Sequence, residues 1–424
     1  MSLATEAPKD SFRLSMLVFD TRYRSYTIQV SVLILLLLFL GWITDNTIAN
    51  LSQRGKDIDF GFLWQRAGYD IDQQLIPYTN DSTHGRATII GLLNTLLIAI
   101  IGCVLATVVG IVAGVLRLSK NWLVARIMTV YVEVFRNIPL VLWIILIFVV
   151  FTETMPQPKD FKITEDMVAA GEEPKASMLF GVIAITNRGS NLPGPLLDRP
   201  LPTYEIATVP VNLSVLAFLA VLAGSIYANL RLLRHARAVQ EETGIRPTTW
   251  WKTLLILVLP SVLLLAAMGF HLEYPAIKGF NFTGGLIINH SFTALLIALV
   301  LYTGAFIAEI VRGGIQAISR GQSEAAFALG LRPGRTMNLV ILPQALRVII
   351  PPLISQYLNL TKNTSLGIAV SYLDLRGTLG GITMNQTGRE MECMLLMMGI
   401  YLVISLIISS IMNAYNNAVK LRER

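Results

Sequence analysis

Five ionisable side chains lie inside strongly apolar stretches, where a charge is costly enough that it usually serves a function. They are Glu133, Arg136, Glu309, Arg312 and Lys362. Glu133 and Arg136 are three residues apart, as are Glu309 and Arg312. In each pair the acid and the base therefore lie on one face of a helix and are expected to neutralise each other. Such pairs could anchor helix ends near the cytoplasmic interface, or they could serve gating or packing between subunits.

Lys362 differs because a polar cluster follows it directly, at positions 363–365. Counting about 1.5 Å per helical residue places Lys362 about two-thirds of the way across a bilayer. The cluster cannot face lipid, so we expect it to line a water-filled path or a helix contact. Snorkelling of Lys362 towards the membrane surface is the alternative.

The run EAAFALG at 324–330 offers a docking surface rather than a reactive group. An acid, two small side chains and a glycine able to take positive φ predict a short helix with a tight exit at Gly330. Ala325, Ala326 and Leu329 can sit close against a groove of another protein, with Glu324 at its rim. The alternative is a helix on the lipid surface, which would want large apolar residues opposite a lysine-rich face.

Several kinds of enzyme are excluded. No Gly-x4-Gly-Lys-Ser/Thr run occurs, so ATP hydrolysis is not expected on this chain. Cys103 and Cys393 are far apart in sequence, and the four histidines lack ligand-like spacing, so neither a metal site nor redox chemistry is predicted. No catalytic constellation of polar residues is visible, and we predict that the chain is not an enzyme.

The composition is that of an integral membrane protein. Apolar residues make up 54% of the chain and charged residues only 14%. Stretches of about 20 apolar residues can cross the hydrocarbon core as helices. Eight such spans are predicted, at 26–45, 88–116, 127–151, 210–230, 251–269, 291–311, 346–370 and 394–414.

The net charge of +7 favours lipid rather than nucleic acid as the partner, because the basic residues cluster in alternate loops. This pattern places both termini in the cytoplasm. The cytoplasmic set includes Arg13, Arg22, Arg24, Arg117, Lys120, Arg126, Arg231, Arg234, Arg237, Arg246, Arg320, Arg332, Arg335, Lys420, Arg422 and Arg424. The opposite loops are mixed or acidic, with Asp160, Glu165, Asp166, Glu172, Glu173 and Asp198 in the longest of them.

Four parts follow along the chain. Residues 1–87 hold a cytoplasmic tail, an anchor helix and a periplasmic loop, and 88–152 hold two core helices. Residues 153–290 form an insertion whose outer segment is rich in proline, glycine and charge, which favours turns and extended backbone, followed by two further crossings. Residues 291–424 hold the last three core helices, with the docking loop near 320–343.

Five stretches carry a family resemblance: YVEVFRNIP (131–139), AFIAEIVRGG (305–314), GQSEAAFALG (321–330), LPQALR (342–347) and KNTSL (362–366). Together they resemble the transmembrane subunits, or permeases, of ABC importers in the polar amino acid subfamily. The anchor and the long insertion are similar to the longer Q-type subunit of general L-amino-acid importers in Gram-negative bacteria. The fold implied is all-α and polytopic, about eight transmembrane helices around a five-helix type I importer core.

The resemblance implies transport of L-amino acids across the bacterial inner membrane by alternating access. Two ABC ATPase subunits, which bind ATP and Mg, would contact the residues from Glu324 to Gly330. A homologous second permease would complete a heterodimer, and a periplasmic amino-acid-binding protein would deliver the substrate. This chain itself would bind no cofactor.

An amino acid carries a carboxylate and an ammonium, so a transit site needs hydrogen-bond donors and acceptors. Lys362, Thr364 and Ser365 are the candidate donors. Glu309, Glu133 and Asp374 are candidate acceptors, and Arg136 and Arg312 are further path candidates. The competing function is an autonomous, ion-coupled secondary transporter or channel, which inverted repeats and broken helices would favour. No convincing repeat is visible in the sequence.

Overall fold

The computed structural model describes residues 16–162, 174–206 and 209–419. Some charged residues used above for the orientation lie outside these ranges: Arg13, Glu165, Asp166, Glu172, Glu173, Lys420, Arg422 and Arg424. The described chain forms two compact units. One comprises the residues up to Phe62 together with Arg389–Glu392, and the other comprises the rest.

The first unit is dominated by one long apolar helix. A short helix α1 (Met16–Phe19) precedes α2 (Thr21–Gln53), whose leucine-rich side chains are exposed along its length, as expected of a helix surrounded by lipid. The loop after α2 is held by polar contacts. Lys56 forms an ion pair of 3.1 Å with Glu390, and the amide of Asp59 donates to Glu392 Oε1 at 3.2 Å.

The second unit contains the remaining membrane helices. Its long helices are α3 (His84–Leu116), α4 (Trp122–Asn137), α5 (Leu140–Val149), α6 (Leu213–Thr243), α7 (Trp250–Ala267), α8 (His290–Gln316), α11 (Leu342–Asn363) and α14 (Glu390–Val419), of which α14 begins in the first unit. Shorter helices are α9 (Arg320–Ala328), α10 (Pro333–Thr336), α12 (Leu375–Gly377) and α13 (Met384–Thr387).

Helices α3 and α8 form the centre of this unit, with α5 and α11 packed around them. Ile98, Leu295, Leu299 and Leu360 are fully buried there. Gly110 shows why the approach is close, because a Cβ atom at this position would lie 2.5 Å from Ile307 Cβ. Glycine on α3 therefore allows the close helix packing that small residues permit in membrane proteins.

The third predicted span, 127–151, is wrong as a single helix. The chain bends by 104° between α4 and α5. Pro139 explains the bend, because proline lacks an amide proton and disfavours helical backbone at the residue before it. Ile138 is accordingly extended, with φ −102° and ψ 134°.

The number of crossings agrees with the sequence prediction. Within the described ranges, seven helices are long and apolar enough to span a membrane, and the bent pair of α4 and α5 can make an eighth. The span that contains α11 runs from Pro333 to Val370. It includes a π-helical segment (Met337–Ile341) before α11 and a 3-10 segment (Thr364–Val370) after it.

The insertion contains short antiparallel strands beside its two helices. Strand β2 (Gly189–Leu192) pairs with both β1 (Ala184–Thr186) and β9 (Leu286–Ile288). Three separate pairs are β3 (Gly194–Leu197) with β6 (Phe270–Glu273), β4 (Thr203–Ile206) with β5 (Val209–Asn212), and β7 (Ala276–Lys278) with β8 (Asn281–Thr283). Helices α6 and α7 pack on each other as a hairpin.

The close α3–α8 contact makes a direct prediction. Replacing Gly110 by valine should separate the two helices and destabilise the protein by about 1–3 kcal/mol, the usual effect of overpacking. The thermal unfolding midpoint in detergent measures this loss. The matched control is Gly224→Val in α6, where a Cβ atom meets nothing within 4 Å. Equal midpoints for the two variants would contradict the role of Gly110.

Candidate functional site

Helix α9 carries the predicted docking residues and ends in a tight turn. Gly330 has φ +77°, the left-handed conformation that glycine adopts without strain. Its amide donates to the carbonyl of Phe327 at 2.9 Å, and the amide of Leu331 donates to Ala326 at 3.1 Å. These two bonds are the Schellman pattern, so the predicted sharp exit at Gly330 is present.

The five predicted docking residues do not share one environment. Glu324 and Ala325 are exposed and Leu329 is 81% exposed, whereas Ala326 is only 4% exposed. Ala326 therefore packs against its own chain, where α9 contacts α10 and the segment Met337–Ile341. Phe327, which the sequence interpretation did not single out, is also exposed on this short helix. An outward surface with Phe327 and Leu329 is suited to a protein partner.

The second group is an ion cluster around Glu309. Its carboxylate accepts short hydrogen bonds from Arg117 and Arg312, and Arg136 lies 3.9 Å away. The Arg136 guanidinium also lies over the ring of Phe306, 5.2 Å from its centroid. One carboxylate on α8 thus links the end of α3 with the end of α4.

This cluster corrects the pairing inferred from spacing. Glu309 and Arg312 do pair within α8, as predicted. Glu133 and Arg136 form no ion pair among the described residues. Instead, Arg136 turns to Glu309 and the exposed Glu133 accepts from Asn137 at 3.4 Å. The sequence analysis counted Arg117 only among the cytoplasmic basic residues. Its pair with Glu309 was not predicted, because residues on distant helices have no characteristic spacing in the sequence.

The residues around Lys362 lie in different environments. Lys362 is exposed near the end of α11, and its carbonyl accepts from Ser365 Oγ at 2.7 Å. Thr364 is fully buried and its hydroxyl donates to the carbonyl of Thr361 at 3.0 Å. The predicted donor set is therefore divided, with Lys362 on the surface of this chain and Thr364 inside it.

Thr364 faces Asp374, which lies in the connection after the span that ends at Val370. Asp374 is fully buried and accepts from the amide of Gly377 at 2.9 Å. The hydroxyls of Thr364 and Tyr401 lie 3.4 and 3.3 Å from its Oδ2. Burial raises the pKa of Asp374 to about 6. In this chain Asp374 organises the loop, and it has no exposed surface for a substrate.

The sequence profile of the family described as the binding-protein-dependent transport system inner membrane component matches residues 106–421. The chain belongs to this family. It is thus a multi-pass transport subunit of the inner membrane, and the resemblance drawn from the five motifs is confirmed. The matched range contains α9, the Glu309 cluster and Lys362.

Three curated relatives cover almost the whole chain. The glutamate/glutamine/aspartate/asparagine transport system permease protein BztB of Rhodobacter capsulatus is 66% identical over 426 residues, which is 100% of both chains. The general L-amino acid transport system permease protein AapQ of Rhizobium johnstonii is 41% identical, over 98% of this chain and 96% of the relative. The putative amino-acid ABC transporter permease protein YhdX of Escherichia coli is 39% identical, over 95% of each.

For this permease, the Glu309 cluster predicts a specific loss of stability. Glu309→Gln leaves three guanidinium groups without their shared carboxylate. Because Glu309 keeps 29% of its side chain exposed, the expected loss is about 2 kcal/mol, below that for a fully buried pair. Chemical or thermal unfolding in detergent measures it.

The control is Glu133→Gln, the same change at the exposed acid near the cluster, with an expected loss of about 0.5 kcal/mol or less. Arg117→Gln combined with Glu309→Gln should recover part of the loss, because one unpaired guanidinium is then removed. If the double variant were less stable than the wild type by the full sum of the two single losses, the two residues would not be coupled.

Proposed function

We propose that this permease moves L-amino acids with acidic or amide side chains into the cell, as one half of the transmembrane part of an ATP-driven importer. The relative with 66% identity over its whole length is a permease for glutamate, glutamine, aspartate and asparagine, which supports this substrate class. Substrate would arrive on a periplasmic binding protein. A homologous permease would form the other half, giving a heterodimer.

In this proposal the energy enters through α9. Two ATPase subunits, which bind ATP and Mg, would sit on the cytoplasmic loops and hold the exposed face of α9, with Leu329 and Phe327 in a groove and Glu324 and Ala325 beside it. The observation that carries the proposal is the combination of an outward apolar surface with a rigid Schellman exit at Gly330. Because the Schellman turn fixes the direction of the chain after α9, the exposed face of α9 is suited to transmit force to the helices.

The charge pattern supports one orientation of the chain in the membrane. Arg320 begins α9, Arg332 and Arg335 follow it, and Arg231, Arg234 and Arg237 follow the apolar part of α6. The positive-inside rule supports placing these residues, and with them both chain termini, in the cytoplasm. The β-strands of the insertion would then face the periplasm, where the binding protein docks.

The substrate path would include the exposed face of α11. Ser355, Asn359 and Lys362 are exposed and follow the i, i+4, i+7 spacing, so they form one polar stripe on a membrane-spanning helix. Such a stripe is poorly suited to lipid and well suited to a water-filled path between two permease subunits. Lys362 would attract the substrate carboxylates, and the amide of Asn359 can both donate and accept.

The coupling proposal is tested by Gly330→Val. A β-branched residue at φ +77° is strained, so the Schellman turn should open although a Cβ atom meets nothing within 4 Å. In liposomes containing the complete importer, ATP-driven glutamate uptake should fall at least about tenfold, a coupling loss of about 1.4 kcal/mol, while basal ATP hydrolysis persists. Gly334→Val is the control, with equally open space and no positive φ. Unchanged uptake and unchanged stimulation of ATP hydrolysis in G330V would count against coupling through α9.

The path proposal is tested by Lys362→Met. Loss of the cation should reduce uptake of glutamate and aspartate more than uptake of glutamine and asparagine, with a change in selectivity of about tenfold for one lost charge contact. Lys362→Arg should retain most of the preference. Lys120→Met removes an exposed lysine in the connection between α3 and α4 and should leave selectivity unchanged. Equal effects of K362M on all four substrates would remove Lys362 from substrate recognition.

A further inference from the structure

The α6–α7 hairpin has a charged end to which the transport proposal gives no role beyond orientation in the membrane. Helix α6 is apolar from Leu213 to Leu230, about 27 Å of helix, close to the thickness of a hydrocarbon core. After Leu230 the sequence changes abruptly from apolar to charged residues. Five basic residues occur between 231 and 252 against two acidic ones, and we call them the hairpin basic patch: Arg231, Arg234, Arg237, Arg246 and Lys252.

The patch is accessible and its charges are not neutralised by the protein. All five of its side chains are exposed, and within residues 209–419 none of them forms an ion pair with a carboxylate. Ala236, in the middle of the basic stretch, is buried, so this part of α6 packs against polypeptide. The patch is therefore held as part of a folded surface.

Aromatic side chains mark the membrane surface at the same level. Arg231 donates to the hydroxyl of Tyr227 at 3.0 Å through Nε, and its guanidinium lies 5.2 Å from the ring centroid. On the partner helix, Lys252 Nζ lies 5.4 Å from the ring centroid of Trp251. Trp250 is 74% exposed beside it. Tyrosine and tryptophan are enriched at the level of lipid headgroups.

We infer that the hairpin basic patch is a binding site for the phosphate headgroups of anionic phospholipids. Arginine and lysine next to a span attract anionic lipids, and the exposed aromatic rings place these cations at headgroup depth. A protein groove is a poorer occupant, because two of the three large exposed apolar side chains at this end are tryptophans, the type enriched at headgroup depth, and only Ile245 is aliphatic. The site would fix the hairpin in the bilayer, where it makes few contacts with the helices around α3 and α8.

The test uses the purified full-length chain in a neutral detergent, titrated with dioleoylphosphatidylglycerol or dioleoylphosphatidylcholine and observed by native mass spectrometry. The wild type should retain phosphatidylglycerol in preference to phosphatidylcholine. The triple variant R234Q/R237Q/R246Q should bind phosphatidylglycerol about 100-fold more weakly, since each of the three basic residues near the membrane surface contributes about fivefold. Equal binding by wild type and triple variant would overturn the inference.

The matched control is K159Q/R199Q/K278Q, which removes three exposed charges from the outer part of the insertion. It should bind phosphatidylglycerol like the wild type. If it instead lost as much lipid binding as the triple variant, the loss would reflect net charge alone, and the proposed site would be wrong. Inorganic phosphate should not displace the lipid, since a site for free phosphate would be occupied without a membrane. Displacement by phosphate alone would therefore also count against a headgroup site.

Tryptophan quenching provides a second, independent measurement. Brominated phosphatidylglycerol should quench the wild-type fluorescence more than brominated phosphatidylcholine, and W250F/W251F should lose this difference. In the assembled importer the ATPase should stay bound to the triple variant. Loss of the ATPase with an unchanged lipid preference would identify the patch as a protein-docking surface and refute lipid binding there, whatever the outcome for α9.

Discussion

The close approach of α3 to α8 fixes the positions of the polar groups in the second unit. Without water, helices in a bilayer are held together by close packing and by the few polar contacts that this packing allows. Gly114 permits a close approach to the backbone of α8, because a Cβ atom there would lie 2.7 Å from the carbonyl oxygen of Ala308. Glu309 is the next residue on α8, and Arg117 follows Gly114 by three positions. The missing side chain at Gly114 therefore brings the Arg117 guanidinium within reach of the Glu309 carboxylate.

The other end of α3 has a comparable role. Its Asn94 side chain donates to the carbonyl of Leu373 at 2.9 Å, and the hydroxyl of Thr95 accepts from the amide of Leu375 at 3.0 Å. These bonds hold the loop that contains Asp374. A shift of α3 would leave buried polar groups unpaired at both of its ends, and each such group costs about 1–3 kcal/mol. Helix α3 is thus held by polar contacts in its N-terminal half and just after its C-terminal end, on either side of an apolar middle.

The sequence was most informative where the physical rule is local. Span lengths follow from runs of apolar residues, and the turn at Gly330 follows from one glycine after a helix-forming run. The break between α4 and α5 also had a local signal in Pro139, but the apolar run on both sides was given more weight than the proline. The strands of the insertion were foreseen only as extended backbone, and β2 and β3 pair with strands that are distant in sequence. Strand β2, for example, pairs with β9 almost a hundred residues later.

The candidate site was less predictable because its contacts join separate helices. The spacing of Glu133 and Arg136 fits an intrahelical pair, yet Glu309 is a better partner for Arg136 since it already lies at the junction of α3 and α8. Burial is equally non-local. Ala325 and Ala326 are adjacent and chemically identical, but one is exposed and the other packs inside, because α9 is covered on one side by α10 and the segment Met337–Ile341.

The connection from α9 to the proposed substrate path can be followed through single contacts. Ala326 rests against the chain that leads into α11, and Gln344 at the start of α11 donates to Gln322 on α9 at 3.3 Å. From Gln344 to Lys362 the helix is continuous, about 27 Å at 1.5 Å per residue. Pro351 and Pro352 lie inside this helix and remove two amide donors, but no loop interrupts it. A tilt imposed at α9 would therefore displace Lys362 at the far end, because no flexible loop lies between them to absorb the movement.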